Sequence, residues 1–374
     1  MKIGILTYHR AFNYGAFLQS VALCLRLNQE IDMEAEIIDF DMKRAKLSYK
    51  PENWPLKRKL YHHRRYLFKR NLYQYFAQGM EKIKEIRSEK YLCSDSIEKF
   101  CEMVKGKYDV IIAGSDEIWR VNNIRGFPNP YFLFGELGCR KFAYAVSARV
   151  EFDILDKENH EKLALALNDF EFISVRDRLT YEIVQRAGIS SENMMLSCDP
   201  SLLYDFNIKK VDVRMLVEDK RLNPMKKTAV IMCGQEERKT IGRIRKDLEK
   251  DYNLITVFEY HKGMVCADKL DPFRWMQLLK SVDFVISSYF HGICFSITNN
   301  TPFLALGTRL KKSKIEGLLV GTTLENHYIS IEKCNVTDWL KLVEKLKDEN
   351  NFDNFVDDNN KGFTVFLKKL RQDV

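Results

Sequence analysis

Short apolar runs alternate with amphipathic stretches along the chain, and polar loops separate them. The first apolar run, Lys2–Thr7, has the β pattern, and residues 15–28 then carry apolar side chains at helical spacing. Ala35–Phe40 is a second apolar run. A strand, a helix and another strand in this order form a βαβ unit, so the pattern predicts an α/β fold with parallel sheets.

The alternation is interrupted by a polar, irregular segment at 206–226. We therefore predict an N-terminal Rossmann-like domain over 1–205, a C-terminal Rossmann-like domain over 206–355 and a final helix within 356–374. The other predicted strands are Tyr108–Ala113, Lys141–Ser147, Phe170–Val175, Met194–Ser197, Thr228–Gly234, Asn253–Glu259, Phe284–Ser287 and Pro302–Leu306.

A basic and aromatic stretch near 55–90 forms a predicted helical insertion in the first domain. It contains no glycine between Asn53 and Gly79, and its aromatic residues follow an amphipathic pattern. Two interpretations stay open. The stretch is a peripheral membrane face for a lipid-linked substrate, or it is an insertion with a solvated basic face.

Composition places the chain among globular enzymes of a reducing compartment. The 374 residues suit two domains, and 45% hydrophobic with 30% charged residues is a globular balance. The net charge of +8 does not indicate a nucleic-acid protein, because 52 acidic residues are spread among 60 basic ones. Nine cysteines without a metal-binding spacing suggest free thiols, and no apolar run reaches about 18 residues. We expect a cytoplasmic protein with, at most, a peripheral membrane contact.

Ligands of open parallel sheets bind beyond the carboxyl ends of the strands, so polar residues there are the candidates for a site. After the first strand, Asn13 and Gly15 mark either a helix start that binds an anion or an ordinary turn that Asn13 caps. After Tyr108–Ala113, Asp116 suits the orientation of a hydroxyl or a histidine, and Trp119 suits stacking on a sugar. The structural alternative is a helix start with Glu117 on the dipole.

Two further strand ends are followed by charged side chains that are candidates for binding a ligand. Arg176 ends an apolar strand, where its guanidinium suits a phosphate or a carboxylate, or a salt bridge to a nearby acid. Asp199 precedes Pro200 and favours a structural role. In the second domain, His291 follows a strand at a predicted helix start, where a neutral imidazole is favoured as a general base.

These segments together resemble the polysaccharide pyruvyl transferases. The matches occur in the family's order along most of the chain. They are Asn13-Tyr14-Gly15-Ala16 with Gln19 (NYGAxLQ in the family), Gly114-Ser115-Asp116-Glu117-Ile118-Trp119 (GSDQVW), Ala143-Tyr144-Ala145-Val146-Ser147 (YAAS), Ser174-Val175-Arg176-Asp177 (SxRE/D), Asp199-Pro200 (DP) and Ser288-Tyr289-Phe290-His291-Gly292 with Pro302-Phe303 (SFHG…PF).

The resemblance implies a GT-B-like fold, in which two Rossmann-like domains face each other across a cleft and the C-terminal helix crosses back to the first domain. It implies phosphoenolpyruvate as donor, a saccharide as acceptor and a cyclic pyruvate ketal as product, with phosphate released, in cell-surface polysaccharide biosynthesis. It implies no metal or other cofactor. Whether the acceptor is free, nucleotide-linked or lipid-linked stays open.

The resemblance and the residue chemistry together assign the roles. His291 is the expected general acid/base, because histidine titrates near pH ~6.5, and Asp116 orients the acceptor or His291. The two remaining sets bind the substrates. Donor-binding residues are expected to be Arg176, Asn13, Gly15, Ser288, Gly292 and Lys314, and acceptor-binding residues Trp119, Glu117 and Tyr289.

Three departures from the family pattern affect the choice of substrate. Glu117 replaces the usual Gln, Tyr289 stands where Ser or Arg is common, and Ala148-Arg149 replaces a Phe/Tyr-Gly pair. Lys311, Lys312 or Lys314 are expected to compensate for a missing arginine at position 289. Two other functions remain as alternatives: a GT-B glycosyltransferase that uses a nucleotide sugar, and a non-catalytic saccharide-binding homologue.

Overall fold

The first sheet has six parallel strands in the order β2-β1-β5-β6-β7-β8, with a separate two-stranded pair β3-β4. All seven positions of β5 are buried, as expected for a parallel strand covered on both faces. The strands are β1 (Lys2–Leu6), β2 (Glu34–Ile37), β3 (Phe40–Asp41), β4 (Leu92–Cys93), β5 (Val110–Asp116), β6 (Arg140–Val146), β7 (Phe172–Val175) and β8 (Met194–Leu196).

The second sheet also has six parallel strands, in the order β11-β10-β9-β12-β13-β14. Its core is formed by apolar residues of β9, β12 and β13 that pack against Trp339 and Val343. The strands are β9 (Lys227–Met232), β10 (Tyr252–Thr256), β11 (Val265–Cys266), β12 (Phe284–Ser287), β13 (Phe303–Gly307) and β14 (Tyr328–Ser330).

Helices connect the parallel strands in both sheets. In chain order they are α1 (Tyr14–Leu27), α2 (Lys43–Tyr49), α3 (Leu56–Tyr61), α4 (His63–Glu81), α5 (Ile97–Val104), α6 (Lys157–Asn168), α7 (Arg178–Arg186), α8 (Val213–Leu216), α9 (Arg238–Leu248), α10 (Pro272–Ser281), α11 (Phe290–Thr298), α12 (Lys312–Leu319), α13 (Trp339–Leu346) and α14 (Asp353–Arg371).

The computed structural model describes residues 1–308, 312–330, 333 and 338–372. The chain divides into two units. Unit 1 contains the first sheet and consists of Met1–Lys50, Met80–Tyr204 and Asp357–Val374. Unit 2 contains the second sheet and consists of Pro51–Gly79 and Asp205–Val356.

The segment 51–79 belongs to unit 2, whereas the sequence analysis placed it in the first domain. The Lys69 ammonium lies 2.7 Å from a Glu259 carboxylate oxygen, and Arg65 lies 3.0 Å from the other. Asn71 donates to Asp268 at 2.8 Å. These polar contacts between residues far apart in the chain attach the segment to the second sheet, and chain order alone does not reveal them.

Helix α14 packs on unit 1 through aromatic side chains. The Phe366 ring lies 4.8 Å from the ring of Tyr144 and 6.0 Å from that of Phe142, measured between centroids. Arg371, at the end of α14, forms an ion pair with Asp32 at 2.8 Å. The last helix therefore covers part of one face of the first sheet.

Across the described ranges, no helix is both long enough and apolar enough to cross a lipid bilayer.

Candidate active site

Each sheet has one point at which the order of its strands reverses, and ligands of such sheets bind there. In unit 1 the chain passes from β1 to β2 on one side and continues through β5 on the other. In unit 2 it passes from β9 to β10 and later returns to β12 on the opposite side of β9. The residues that follow β1 and β5, and those that follow β9 and β12, are therefore the candidates.

Arg176 lies in unit 1 between two carboxylates. Its guanidinium donates to Asp199 at 2.6 Å and to Asp116 at 3.4 Å, and its side chain is only 5% exposed. Burial alone would lower the pKa of Arg176, but the charges of Asp199 and then Asp116 outweigh it and raise the pKa. The guanidinium is thus a permanent cation that fixes the position of Asp116.

Asp116 ends β5 with a φ of +85°, a left-handed conformation that is uncommon outside glycine. Residues on both sides hold this turn. The Thr7 hydroxyl donates to the Ser115 carbonyl at 2.8 Å, and the Ser115 hydroxyl donates to the Ala145 carbonyl at 2.8 Å. Strained backbone that the surroundings enforce is a common property of functional sites.

The expected anion site at the start of α1 is instead capped by the protein. The side-chain oxygen of Asn13 accepts from the N–H groups of Gly15 at 3.0 Å and Ala16 at 3.2 Å. Because this cap already uses the two N–H groups, the structure favours the turn that was the alternative interpretation. A direct role of Asn13 and Gly15 in donor binding requires the cap to open.

Trp119 is part of the core of unit 1, and the prediction that it stacks on a sugar is wrong. Its side chain is fully buried, and its ring stacks on Phe132 at 5.7 Å with an interplanar angle of 11°. The indole N–H donates to the Tyr131 carbonyl at 3.2 Å. Both faces and the polar edge of the indole serve internal packing.

Glu117 contacts two arginines rather than standing alone at the strand end. Its carboxylate lies 3.2 Å from the Arg149 guanidinium and 3.6 Å from that of Arg120. The Glu117 side chain is 16% exposed, and those of Arg120 and Arg149 are about one-third exposed. Two of the three departures from the family pattern, Glu117 and Arg149, therefore contact each other.

His291 lies in the first turn of α11, at the reversal point of the second sheet, and is half-buried. Helix α11 begins at Phe290, and in the described chain no side chain provides a cap for it. A Cβ atom at Gly292 would lie 2.7 Å from both Met232 Cε and Ser287 Oγ, so a larger residue at this position would have to displace side chains of β9 and β12. The arrangement places an imidazole beside the positive end of a helix dipole.

Ser288 is fully buried, and its hydroxyl donates to Glu237 at 3.2 Å. The same Glu237 oxygen accepts from the Gly234 N–H group in the loop that follows β9. Glu237 was not among the residues predicted from the sequence. The sequence feature that could have identified Glu237 is its position three residues after Gly234, the last residue of a predicted strand. A carboxylate there can accept from the backbone of its own loop.

Two other predicted residues of unit 2 lie near this point in sequence but have different surroundings. The Tyr289 ring packs on Phe258 at 5.7 Å, and burial, followed by the charge of Glu259, raises the pKa of its hydroxyl. Lys314 is partly buried in α12. Lys311 lies outside the described residues, and its compensating role stays a prediction.

A buried cluster that was not predicted from the sequence follows β1 in unit 1. The Nε2 atom of His9 lies 3.1 Å from Asp39, and Arg10 donates to the other Asp39 oxygen at 2.7 Å. Burial lowers the pKa of His9, although Asp39 partly opposes the shift. The contacts with His9 and Arg10 overcome burial and lower the pKa of Asp39.

Among the described residues, no group of three or more His, Cys, Asp or Glu side chains is arranged to hold a metal ion.

Solved structures with the same architecture define the fold class. UDP-GlcNAc 2-epimerase from Methanocaldococcus jannaschii matches with a TM-score of 0.54 and 11% identity over 94% of each chain. The Neisseria meningitidis enzyme bound to UDP-GlcNAc matches with a TM-score of 0.51 and 10% identity over 99% of each chain. S. aureus MnaA with UDP matches with a TM-score of 0.52 and 12% identity over 94% of this chain and 91% of that chain. The fold is GT-B, as the sequence analysis predicted.

The family follows from the sequence itself. A model of the polysaccharide pyruvyl transferase family matches residues 13–309. The chain belongs to this family, which confirms the resemblance, and the family indicates a transferase that modifies a saccharide. A search of curated proteins gave no significant match to the chain.

Proposed function

We propose that the protein transfers a pyruvyl group from phosphoenolpyruvate to a saccharide in cell-surface polysaccharide biosynthesis. Two acceptor hydroxyls form C–O bonds to the central carbon of the donor, and the bond from that carbon to the phosphate oxygen breaks. The methylene group gains one proton and becomes a methyl group. Of the two protons lost by the hydroxyls, one balances this gain and the other leaves with phosphate.

The position of His291 at the start of α11 carries this proposal. The reaction needs a group that gives and takes protons close to a place that holds an anion, and the first turn of a helix supplies such a place. The imidazole of His291 moves the protons, and the backbone of α11 near Gly292 holds the phosphate or carboxylate of the donor. Ser288 contributes by fixing the preceding loop through Glu237.

Asp116 acts on the acceptor in this scheme. Its carboxylate, held by Arg176 at 3.4 Å, accepts a hydrogen bond from an acceptor hydroxyl and orients it for attack. The predicted role of Arg176 in donor binding stays a prediction. Its contacts with two carboxylates support a positioning role in addition.

A lipid-linked acceptor would bring the protein to the cytoplasmic face of a membrane. In α3, Leu56 is 71% exposed and Leu60 is 68% exposed, and lysines stand next to both in the sequence. Apolar side chains flanked by basic ones suit a peripheral contact with anionic lipid. Free and nucleotide-linked saccharides remain the other acceptor forms.

Release of phosphate from phosphoenolpyruvate, measured against a panel of hexosides, nucleotide sugars and lipid-linked sugars, tests the proposal. We expect release that depends on one class of saccharide, with a product that carries a pyruvate ketal. Release of a nucleoside diphosphate from a nucleotide sugar, without consumption of phosphoenolpyruvate, would favour a glycosyltransferase instead. Saccharide binding without turnover of either donor would favour a non-catalytic homologue.

Substitution of His291 tests the assignment of the acid/base group. In His291→Ala we expect turnover to fall by a factor of about 10² to 10⁴, while the binding of phosphoenolpyruvate is largely kept. His63→Ala, at an exposed histidine of unit 2, is the matched control and should retain activity. Full activity in His291→Ala would show that the assignment is wrong.

A further inference from the structure

Glu117 joins two arginines from two different loops of unit 1. Arg149 donates to the two carboxylate oxygens of Glu117 at 3.3 Å and 3.2 Å, and Arg120 lies 3.6 Å away. The three side chains together carry one net positive charge. We call them the Arg120–Glu117–Arg149 cluster.

The backbone of Arg149 has a conformation that is uncommon for residues other than glycine. Its φ of +63° lies in the left-handed region, which glycine adopts without cost and other residues adopt rarely. This chain places a long cation on that backbone and an acid, Glu117, within reach of it.

The cluster adjoins Asp116 at the carboxyl ends of β5 and β6. The Ser147 N–H group donates to the Asp116 carbonyl at 2.9 Å, and the Trp119 N–H group donates to the Ser147 carbonyl at 3.3 Å. These bonds tie the loop with Glu117 and Arg120 to the loop with Arg149. The cluster therefore has a fixed place next to the residue that is proposed to orient the acceptor.

The electrostatic surroundings of the cluster favour an anion. Burial, and then the like charge of Arg149, lowers the pKa of Arg120. Repulsion between the two guanidinium groups decreases when a second negative charge joins them. Because the side chains of Arg120 and Arg149 are 30% and 34% exposed, solvent and ligands can reach them.

We propose that the Arg120–Glu117–Arg149 cluster binds an anionic group of the saccharide acceptor, a phosphate or a carboxylate. The inference rests on the proposed function, because it names the substrate class of the same site. The cluster is assigned to the acceptor because its two loops are hydrogen-bonded to each other at Asp116, the residue that is proposed to orient an acceptor hydroxyl. Guanidinium groups bind both kinds of oxyanion.

Calorimetric titration at low salt tests the inference without relying on turnover. The probes are glucose 1-phosphate, methyl glucuronide and methyl glucoside, which differ in charge but share a sugar ring. We expect the wild-type protein to bind at least one charged probe about fivefold more tightly than the neutral one. A preference for the phosphate or for the glucuronide identifies which anion the cluster selects.

Two substitutions in the cluster should act in opposite directions. Arg149→Gly removes a cation at a backbone position that suits glycine, and it should abolish the preference for the charged probe. Glu117→Gln raises the net charge of the cluster from one to two, and it should increase the preference. Arg178→Ala is the control, because this arginine of unit 1 is 80% exposed in a surface ion pair.

An equal affinity for charged and neutral probes would overturn the inference, as would an unchanged preference in Arg149→Gly or an equal loss in Arg178→Ala. Phosphate release from phosphoenolpyruvate, measured on the same variants, separates this outcome from failure of the proposed function. If release persists while the charge preference is insensitive to Arg149, only the inference fails. If no saccharide supports release, the proposed function fails.

Discussion

The candidate residues of unit 1 and unit 2 occupy equivalent positions in their sheets but differ in chemistry. In unit 1 the strand ends carry ion pairs: Arg176 with Asp199, Glu117 with Arg149, and Arg10 with Asp39. In unit 2 the corresponding loop carries His291 at a helix start, together with a serine that donates to a buried carboxylate. One reversal point is built from paired charges, and the other from an imidazole, a hydroxyl and backbone dipoles.

Because of this difference, substitutions at the two sites are expected to affect different properties: mainly stability in unit 1 and mainly catalysis at His291 in unit 2. A buried charge must keep its partner, so the buried side chains of Arg176, Asp199 and Asp39 also support the fold. The imidazole of His291 is half-buried at the start of a helix, and its proposed role is chemical. Loss of a buried ion pair in unit 1 should therefore destabilise the protein more than loss of the Ser288 hydroxyl in unit 2.

The largest effect on stability is expected from Asp199→Ala. The change leaves the buried Arg176 guanidinium without its closest carboxylate, at 2.6 Å, and should lower the free energy of unfolding by about 3–5 kcal/mol. Glu182→Ala, which breaks the exposed pair with Arg178, is the control and should cost less than about 1 kcal/mol. Chemical denaturation measures both.

The tryptophans show which unit unfolds. Of Trp54, Trp119, Trp275 and Trp339, Trp119 lies in unit 1 and the other three lie in unit 2. Fluorine NMR of 5-fluorotryptophan-labelled protein, with Trp119→Phe for assignment, therefore follows unit 1 separately. If the signal of Trp119 in Asp199→Ala survives to the same denaturant concentration as in the wild type, unit 1 does not depend on this ion pair.

A smaller effect is expected in unit 2 from Ser288→Ala. The change removes the hydroxyl that donates to Glu237 at 3.2 Å and leaves a buried carboxylate with one donor fewer, at a cost of about 1–3 kcal/mol. Ser296→Ala is the control, since its buried hydroxyl donates to a helix carbonyl at 2.8 Å and no ion depends on it. Equal losses in the two variants, measured by chemical denaturation, would mean that Glu237 does not rely on Ser288.

The smallest effect is a loss of stability in acid that originates near His9. Because burial lowers the pKa of His9, folding favours the neutral ring, and this contribution is complete above about pH 6.5 and decreases as the pH falls below it. Asp39, whose contacts lower its pKa despite burial, adds a second loss below about pH 4. In His9→Gln the first loss should become smaller in a pH series of unfolding curves, and the remainder should come from His261, whose pKa burial also lowers. An unchanged slope between these pH values would contradict the prediction.

The strands could be predicted from the sequence because buried parallel strands are nearly continuous apolar runs. Phe284–Ser287 has the same bounds in the prediction and in β12, and Met194–Ser197 differs from β8 by one residue. The short edge strands β11 and β14 were not predicted, because two or three residues give no period. The attachment of 51–79 to unit 2 rests on Lys69 and Glu259, which only the fold brings together.

The site residues that follow the ends of strands could be predicted from the sequence. The roles of residues that depend on whether a side chain is buried were predicted less well. Asp116 and Arg176 were expected at strand ends, and the structure joins them through an ion pair. Trp119 was assigned to the acceptor because an indole suits a sugar, and nothing local shows that both of its faces are covered. Glu237 was overlooked because its importance comes from the buried hydroxyl of Ser288, which lies 51 positions later in the chain.

The path of the chain through unit 1 has a consequence for its biosynthesis. The rings of Phe142 and Tyr144 are covered by Phe366, which leaves the ribosome more than two hundred positions later. The nascent first sheet therefore presents an uncovered aromatic surface while the part of unit 2 from Asp205 to Val356 is still being translated. Chaperones that recognise exposed rings have a binding surface throughout that interval, and maturation of unit 1 is coupled to completion of the chain.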